Sequence, residues 1–556
     1  MLAACCVLAA RLPMQAQTRP GTEARSAKMA QVSLASLIQR GDRQAALDRI
    51  RAGADVNEPQ PDGTRPIHWA VYRVDYELLD ALIARKAKAD VTNEFGDTPL
   101  AEAVKVADRR MVKTLLDAGA SVESPNLDGE TALMLAIKSG SLPVVQLLID
   151  AGANVNVVEK EHHQTPLMYA AASEKSAGPK DAGEIVRLLL AKGADVTPRS
   201  LSYDWPTHIS EEPRVQYHPF GGLTALLYAS RDGCYDCVDA LIAHGADVNV
   251  PTLVEGVTPL MIALDNDNND VARLLLDHGA NPHVWDWYGR TALYIAVDRK
   301  DGGSSGGGIK VAIDASHSAR ASAMDVIKAL LAASVDPNPE LRMHRPTRGG
   351  YTGRFSDPLL DVGATPLLRA TLANDMDVIE ALLAKGASPN IAAMGVTPFL
   401  VAAGVGGGGG QRGGGPGAGR DPRGGPAGSG SGAERFALLD LLLQHGADVN
   451  ARVTGTKTYS LRIARSPSGN EGMTALHVAA QAGRVDLVRY LLEKGANPAI
   501  ADVNGRKPID LAGGGGGTGR TGTPAAGRGT GRGDAQATAA SIAEIRALLE
   551  TATSQN

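Results

Sequence analysis

Apolar positions recur along this chain with a fixed spacing. The stretch GDTPLAEAVKVADRRMVKTLLDAGASVESPNLD begins at Gly96, and GETALMLAIKSGSLPVVQLLIDAGANVNVVEKE follows 33 residues later at Gly129, with Leu, Val, Ile and Ala at matching places. Within the second stretch Val144, Leu147 and Leu148 lie at i, i+3 and i+4, the spacing of one apolar helix face. The Gly-x-Thr-Pro/Ala-Leu opening returns at His163, Gly222, Gly256, Gly289, Gly363, Gly395, Gly472 and Gly505. With a variant at Gly63 and a degenerate AALDRIRAGADVN before it, the chain holds about twelve units.

Each part of the unit has a physical reason. The Thr predicts a helix N-cap whose hydroxyl accepts a free backbone N–H, and Pro loses nothing at the next position because its missing N–H would be unpaired there. A short first helix therefore starts at each such pair. A second, apolar-faced helix follows and ends at a glycine such as Gly152, which accommodates a left-handed backbone. The tail GANVN or GADVN leads out to a turn. A helix pair that is apolar on both flanks buries that surface only by stacking on its neighbours, which predicts a one-dimensional solenoid.

This unit, TPLHxA with a GADVN tail, resembles the ankyrin repeat, and His68 and His477 retain the histidine of that family. The resemblance implies an all-α solenoid of about twelve helix-turn-helix units with hairpin fingers, curved into a concave face that contacts partners. The expected organisation is a leader and N-terminal tail over 1–27 and a continuous array over 28–556. Insertions are expected at 174–183, 198–220, 300–323, 337–361, 404–433, 451–470 and 513–540.

The glycine-rich stretch 404–432 falls between GVTPFLVAAG and AERFALLDLLLQHGADVN, the two helices of one unit, so it reads as a solvated insertion and not as a link between domains. Lengthening such a loop to some thirty residues costs only about 2 kcal/mol. A phosphate loop needs Gly-Lys-Ser/Thr opening the next helix, whereas Ala433-Glu434-Arg435 stands there. Arg412, Arg420 and Arg423 lack the interleaved aromatics of an RNA-binding tail. Gly303-Ser304-Ser305-Gly306-Gly307 matches a hydrolase elbow in letters but has no strand before it, and Arg532-Gly533-Asp534 sits in a run whose composition explains it.

Composition narrows the remaining choices. Aromatics are 4% against 44% hydrophobic residues, so the core is aliphatic. A net charge of -5 gives no basic footprint for nucleic acid, and no stretch of 18 apolar residues predicts a membrane span. The start, MLAACCVLAARLPMQAQ, resembles a secretory signal with a cut before Gln17, which predicts an exported, periplasmic or secreted, bacterial protein. Leu2-Ala3-Ala4-Cys5 resembles a lipoprotein box, and a cytoplasmic chain is the alternative. Cys234-Tyr235-Asp236-Cys237 is a CxxC at the start of a second helix; Cys237 falls where a neighbouring unit has Val271, so a buried thiol is expected, with a redox or disulfide pair as the alternative. The adjacent His162 and His163 do not make a metal site, and no cofactor is expected.

The functional reading is a non-enzymatic, monomeric scaffold that binds another protein. Competing readings are an enzyme, hydrolase or thiol-redox, built from the fingers, and an envelope structural protein. Candidate partner-binding residues are Trp285, Trp287, Tyr288 and Arg290 on the turn VWDWYGRTAL, in a chain with four Trp. To these are added Lys138, Arg231, Asp265, Asn266, Asp298 and Arg299 at first-helix ends, where the resemblance places the concave face.

Overall fold

The computed structural model describes residues 32–172, 181–203, 220–300, 321–342, 362–393, 395–405, 432–454, 470–512 and 539–555. The expected leader with Cys5 and Cys6, most of the glycine-rich insertions, Gly303–Gly307 and Arg532–Asp534 lie outside them. The chain divides into two compact units, residues 1–161 with 179–181, and residues 162–178 with 182–556. In the first, helices run in pairs from Leu34–Arg40 and Arg43–Arg51 to Ala132–Lys138 and Leu142–Asp150. In the second they run from Pro166–Ala171 and Ala182–Ala191 to Pro508–Leu511 and Ala539–Gln555.

The expected starts are where the helices begin. Thr98, Thr165, Thr224, Thr258, Thr365 and Thr397 are N-caps whose hydroxyls accept the N–H three residues on. Thr131 departs: its Oγ1 is buried with no hydrogen-bond partner. At Thr474 the work passes to the histidine, because His477 Nδ1 accepts the Thr474 N–H at 3.1 Å and Nε2 lies 3.0 Å from the Arg506 carbonyl of the next turn. His68 does the same between the Arg65 N–H and the Asp97 carbonyl. These histidines join one turn to the next, and burial holds both below the ordinary His range. Second helices begin at Asp75, Asp108 and Asp375, whose carboxylates accept the N–H groups of Leu78, Met111 and Val378.

A second helix typically ends as at Gly152, with φ +93° and open space around an added Cβ, so glycine is required by the backbone and not by crowding. Lys86 and Ser334 hold the same left-handed turn without being glycine. The asparagine of the GADVN tail then ties unit to unit. Asn390 donates from Nδ2 to the Gly446 carbonyl at 2.8 Å and accepts the Asp448 N–H at 2.9 Å. Asn57, Asn249, Asn338 and Asn450 repeat this two-bond link.

The core is aliphatic. In Leu142–Asp150 the buried set is Val144, Val145, Leu148 and Ile149, while Leu147 is half-buried, so the inward face is rotated from the expected i, i+3, i+4 set. Pro398–Ala402 packs on Gly432–Gln444, and Ala292–Lys300 on Ala323–Ala332, so the flanks of each intervening stretch form one helix pair. On either side of the stretch 204–219 a two-residue antiparallel ribbon forms, Ser202 facing Gly221 and Tyr203 facing Phe220. Leu341, shortly before the stretch 343–361, exchanges backbone bonds with Gly363 and Ala364 and is buried with Tyr294, Leu368 and Ala393. Leu341 thus belongs to the core.

Candidate functional site

The turn after Val284 is built around one carboxylate. Asp286 Oδ1 accepts the N–H of Tyr288 at 3.0 Å and of Arg290 at 2.8 Å, and Oδ2 accepts Arg290 Nε at 2.7 Å. The backbone closes on itself through Asp286 N–H to Arg290 O and Gly289 N–H to Asp286 O. Sister turns use the same device: Asn93, Asn126 and Asp502 accept the N–H groups two and four residues on. Arg290 also reaches Asp265 at 2.9 Å on the preceding first helix. Asp286 and Arg290 are only 2% and 7% exposed. Burial opposes the charge of Arg290, but Asp265 and Asp286 more than offset it and hold the guanidinium protonated. Burial pushes the Asp286 carboxyl up despite Arg290.

This clamp sets the tryptophans outward. Trp285 pairs with Thr291 across the turn, and the Arg342 guanidinium lies 4.4 Å over its ring. Trp287 donates its N–H to the Glu255 carbonyl of the preceding turn, and Arg342 donates to the Tyr288 carbonyl. Trp285 and Trp287 are 56% and 55% exposed, whereas Tyr288 is 5% exposed and pushed up to about 12 by burial, with Glu255 adding to it.

The structure therefore sorts the expected residues. Trp285 and Trp287 form an open surface; Tyr288 and Arg290 lie beneath it, spent on packing and on the Asp286–Asp265 clamp. Asp298 is buried too, because it accepts Arg369 Nε at 2.6 Å from the next first helix. Arg299 donates through Nε to Asp267 at 2.8 Å, and Asn266 Nδ2 to the Ile262 carbonyl at 2.8 Å. Arg231 pairs with Asp232 at 2.8 Å and stands 5.0 Å from the Tyr228 ring centre. In the other compact unit Lys138 pairs with Glu130 at 2.8 Å. These ends are engaged in intramolecular ion pairs and hydrogen bonds.

Sequence reading missed the apolar residues on neighbouring tips. Leu253 and Val254 are 57% and 36% exposed on the turn whose Glu255 carbonyl holds Trp287. Their signal was an apolar pair placed just before a unit-opening glycine, Gly256. Cys234 and Cys237 are joined as a disulfide, with Cys237 fully buried. The expected burial holds, but the sulfur is bonded and is not a free thiol. Among the described residues no group of three His, Cys, Asp or Glu side chains could hold a metal ion, and no helix is long and apolar enough to cross a membrane.

Against known proteins, the family described as Ankyrin repeats matches residues 34–126, 106–200 and 226–304, and Ankyrin repeat matches 362–393 and 471–503. Together these span more than half of the chain. B-cell lymphoma 3 protein homolog of Mus musculus is 30% identical over 162 residues, 26% of this chain and 34% of that protein. A putative ankyrin repeat-containing protein of Treponema pallidum (strain Nichols) is 42% identical over 80 residues, 14% of this chain and 27% of that one. The chain thus spans about a third or less of the length of these curated relatives. The crystal structure of the human ASB11 ankyrin repeat domain, 20% identical, covers 45% of this chain and 100% of that one with a TM-score of 0.35.

Proposed function

Because the chain belongs to the ankyrin-repeat family, we propose that it is a non-enzymatic scaffold that recognises another protein, with Trp285 and Trp287 as its anchors. The observation that carries this is their exposure, 56% and 55%, on a turn whose backbone is fixed by a buried ion pair. Exposed tryptophan on a rigid support loses little freedom on binding and offers a large contact area, which is how interface anchors dominate affinity. Leu253 and Val254 widen the apolar surface and Arg342 edges it with charge. The continuous array and the concave first-helix ends are part of the proposal.

The test is affinity capture from the native cell, followed by titration of the captured partner against the parent chain and a Trp285→Ala/Trp287→Ala chain. The pair of substitutions weakens binding by about 2 kcal/mol or more, roughly thirtyfold in Kd, while the melting temperature stays within a degree or two. Equal affinity with a lowered melting temperature would assign the rings to packing. Export to an oxidising compartment completes the reading, supported by the signal-like start and by the Cys234–Cys237 bond. N-terminal sequencing of the native chain should then begin near Gln17, and an intact Met1 would remove this part.

A further inference from the structure

We infer that Cys234 and Cys237 form a thiol–disulfide exchange site, in which Cys234 is the sulfur that reacts with external thiols and disulfides and Cys237 is the resolving partner. The inference is independent of the partner-binding proposal and starts from the register of the repeat. Cys234 occupies the N-cap of the second helix Tyr235–Ala243. At that position other units place Asp75, Asp108 and Asp375, and each carboxylate accepts the N–H of the residue three places on, at 3.1, 2.9 and 3.3 Å. In these three units the position seats an anion, whereas Asp42, Ser141, Asn268 and Arg484 stand there in other units without a side-chain cap bond. In the cysteine-bearing unit the residue three places on is Cys237 itself, so a Cys234 thiolate would sit where the carboxylates sit, facing the Cys237 N–H. Thiols at such positions ionise more readily than free cysteine.

Accessibility separates the two residues. Cys234 is half-buried, whereas Cys237 is fully buried at the place that Val271 and Val378 fill in other units. The attacked sulfur is then Cys234. A thiolate of a low-molecular-weight thiol attacks Cys234 Sγ and forms a mixed disulfide. The Cys234–Cys237 bond breaks, and its electron pair leaves on Cys237 Sγ, which takes a proton from solvent. A second external thiolate attacks the external sulfur of the mixed disulfide and releases Cys234 as the seated thiolate. Two external thiols are oxidised to a disulfide and the protein disulfide is reduced to a dithiol. The reverse sequence oxidises the dithiol with a low-molecular-weight disulfide.

The experiment uses the full chain with Cys5→Ser and Cys6→Ser, so that one pair remains. Dithiothreitol should reduce that pair in native buffer, counted by mass after alkylation. Cys237→Val and Cys234→Asp each install the residue type that sister units carry there, which favours a folded chain. With glutathione disulfide at neutral pH, the Cys237→Val chain should gain one glutathione on Cys234, about tenfold faster folded than in denaturant. The Cys234→Asp chain should gain none on Cys237 while folded. A pair that resists dithiothreitol until the chain is unfolded would overturn the inference, and this arm needs no substitution in the pair. So would a Cys234 that reacts no faster folded than unfolded, or a folded Cys237 that takes the adduct.

Discussion

Replacing Asp286 tests whether the exposed tryptophans rest on a built support. Asp286→Ala removes three contacts at once: Oδ1 from the Tyr288 and Arg290 N–H groups, and Oδ2 from Arg290 Nε. It leaves a buried guanidinium with Asp265 as its carboxylate. Breaking one side of a buried pair costs about 3–5 kcal/mol; because Asp265 still neutralises Arg290, about 3 kcal/mol is expected. Asp286→Asn keeps an Oδ1 acceptor for both N–H groups and loses the charge, so it should cost about half as much. One turn can open without the rest of the array, so a local observable is the sharper one. Hydrogen exchange at the Tyr288 and Arg290 amides, with Trp emission as a local probe, reads the turn itself. If Asp286→Ala accelerates exchange less than about fivefold, or if Asn proves as damaging as Ala, the clamp does not hold this turn.

Three further outcomes follow from the repeat. Lys86→Gly and Ser334→Gly relieve left-handed backbone at φ +63° and +58° and should each stabilise by about 1 kcal/mol, read by chemical denaturation; destabilisation would refute the strain. Asn390→Ala removes the two-bond link to Gly446 and Asp448 and should cost about 1–2 kcal/mol, with faster exchange at the Asp448 amide; unchanged exchange would show the link to be idle. His68 and His477 are held below the ordinary His value by burial, so the unfolded chain binds more protons. Their contribution is therefore full above about pH 6.5 and is lost as pH falls through the folded values. Melts at pH 7 and pH 5 should show a drop that shrinks when both are Gln.

Local rules fixed what was legible beforehand. Thr98 and Thr365, each followed by Pro, gave away first helices because cap chemistry acts within four residues. The helix LPVVQLLID was harder: it is apolar at more places than one face holds, so Leu147 and Val145 were both admissible and only packing chose Val145. Arg290 and Asp298 read as surface charges because their partners are remote, Asp265 lying 25 residues back and Arg369 lying 71 ahead across an insertion. The near half of the Arg290 clamp did carry a signal, since Asp and Arg four apart recur at Asp502 and Arg506 with the same bond.

Departures from the unit are where chemistry enters. A stacked array tolerates almost any residue at an exposed turn tip, so Trp287 costs the fold little and its presence asks for another use. At the N-cap of a second helix an N–H is open to an acceptor, and Asp75, Asp108 and Asp375 each supply a carboxylate to it. Cys234 abandons that acceptor for a bond to the very residue whose N–H would have been capped. A valine at 237 and an aspartate at 234 would satisfy the fold as well as they do in the sister units. Packing therefore does not require two cysteines here, and the chemistry open to a half-buried sulfur beside a buried one is exchange.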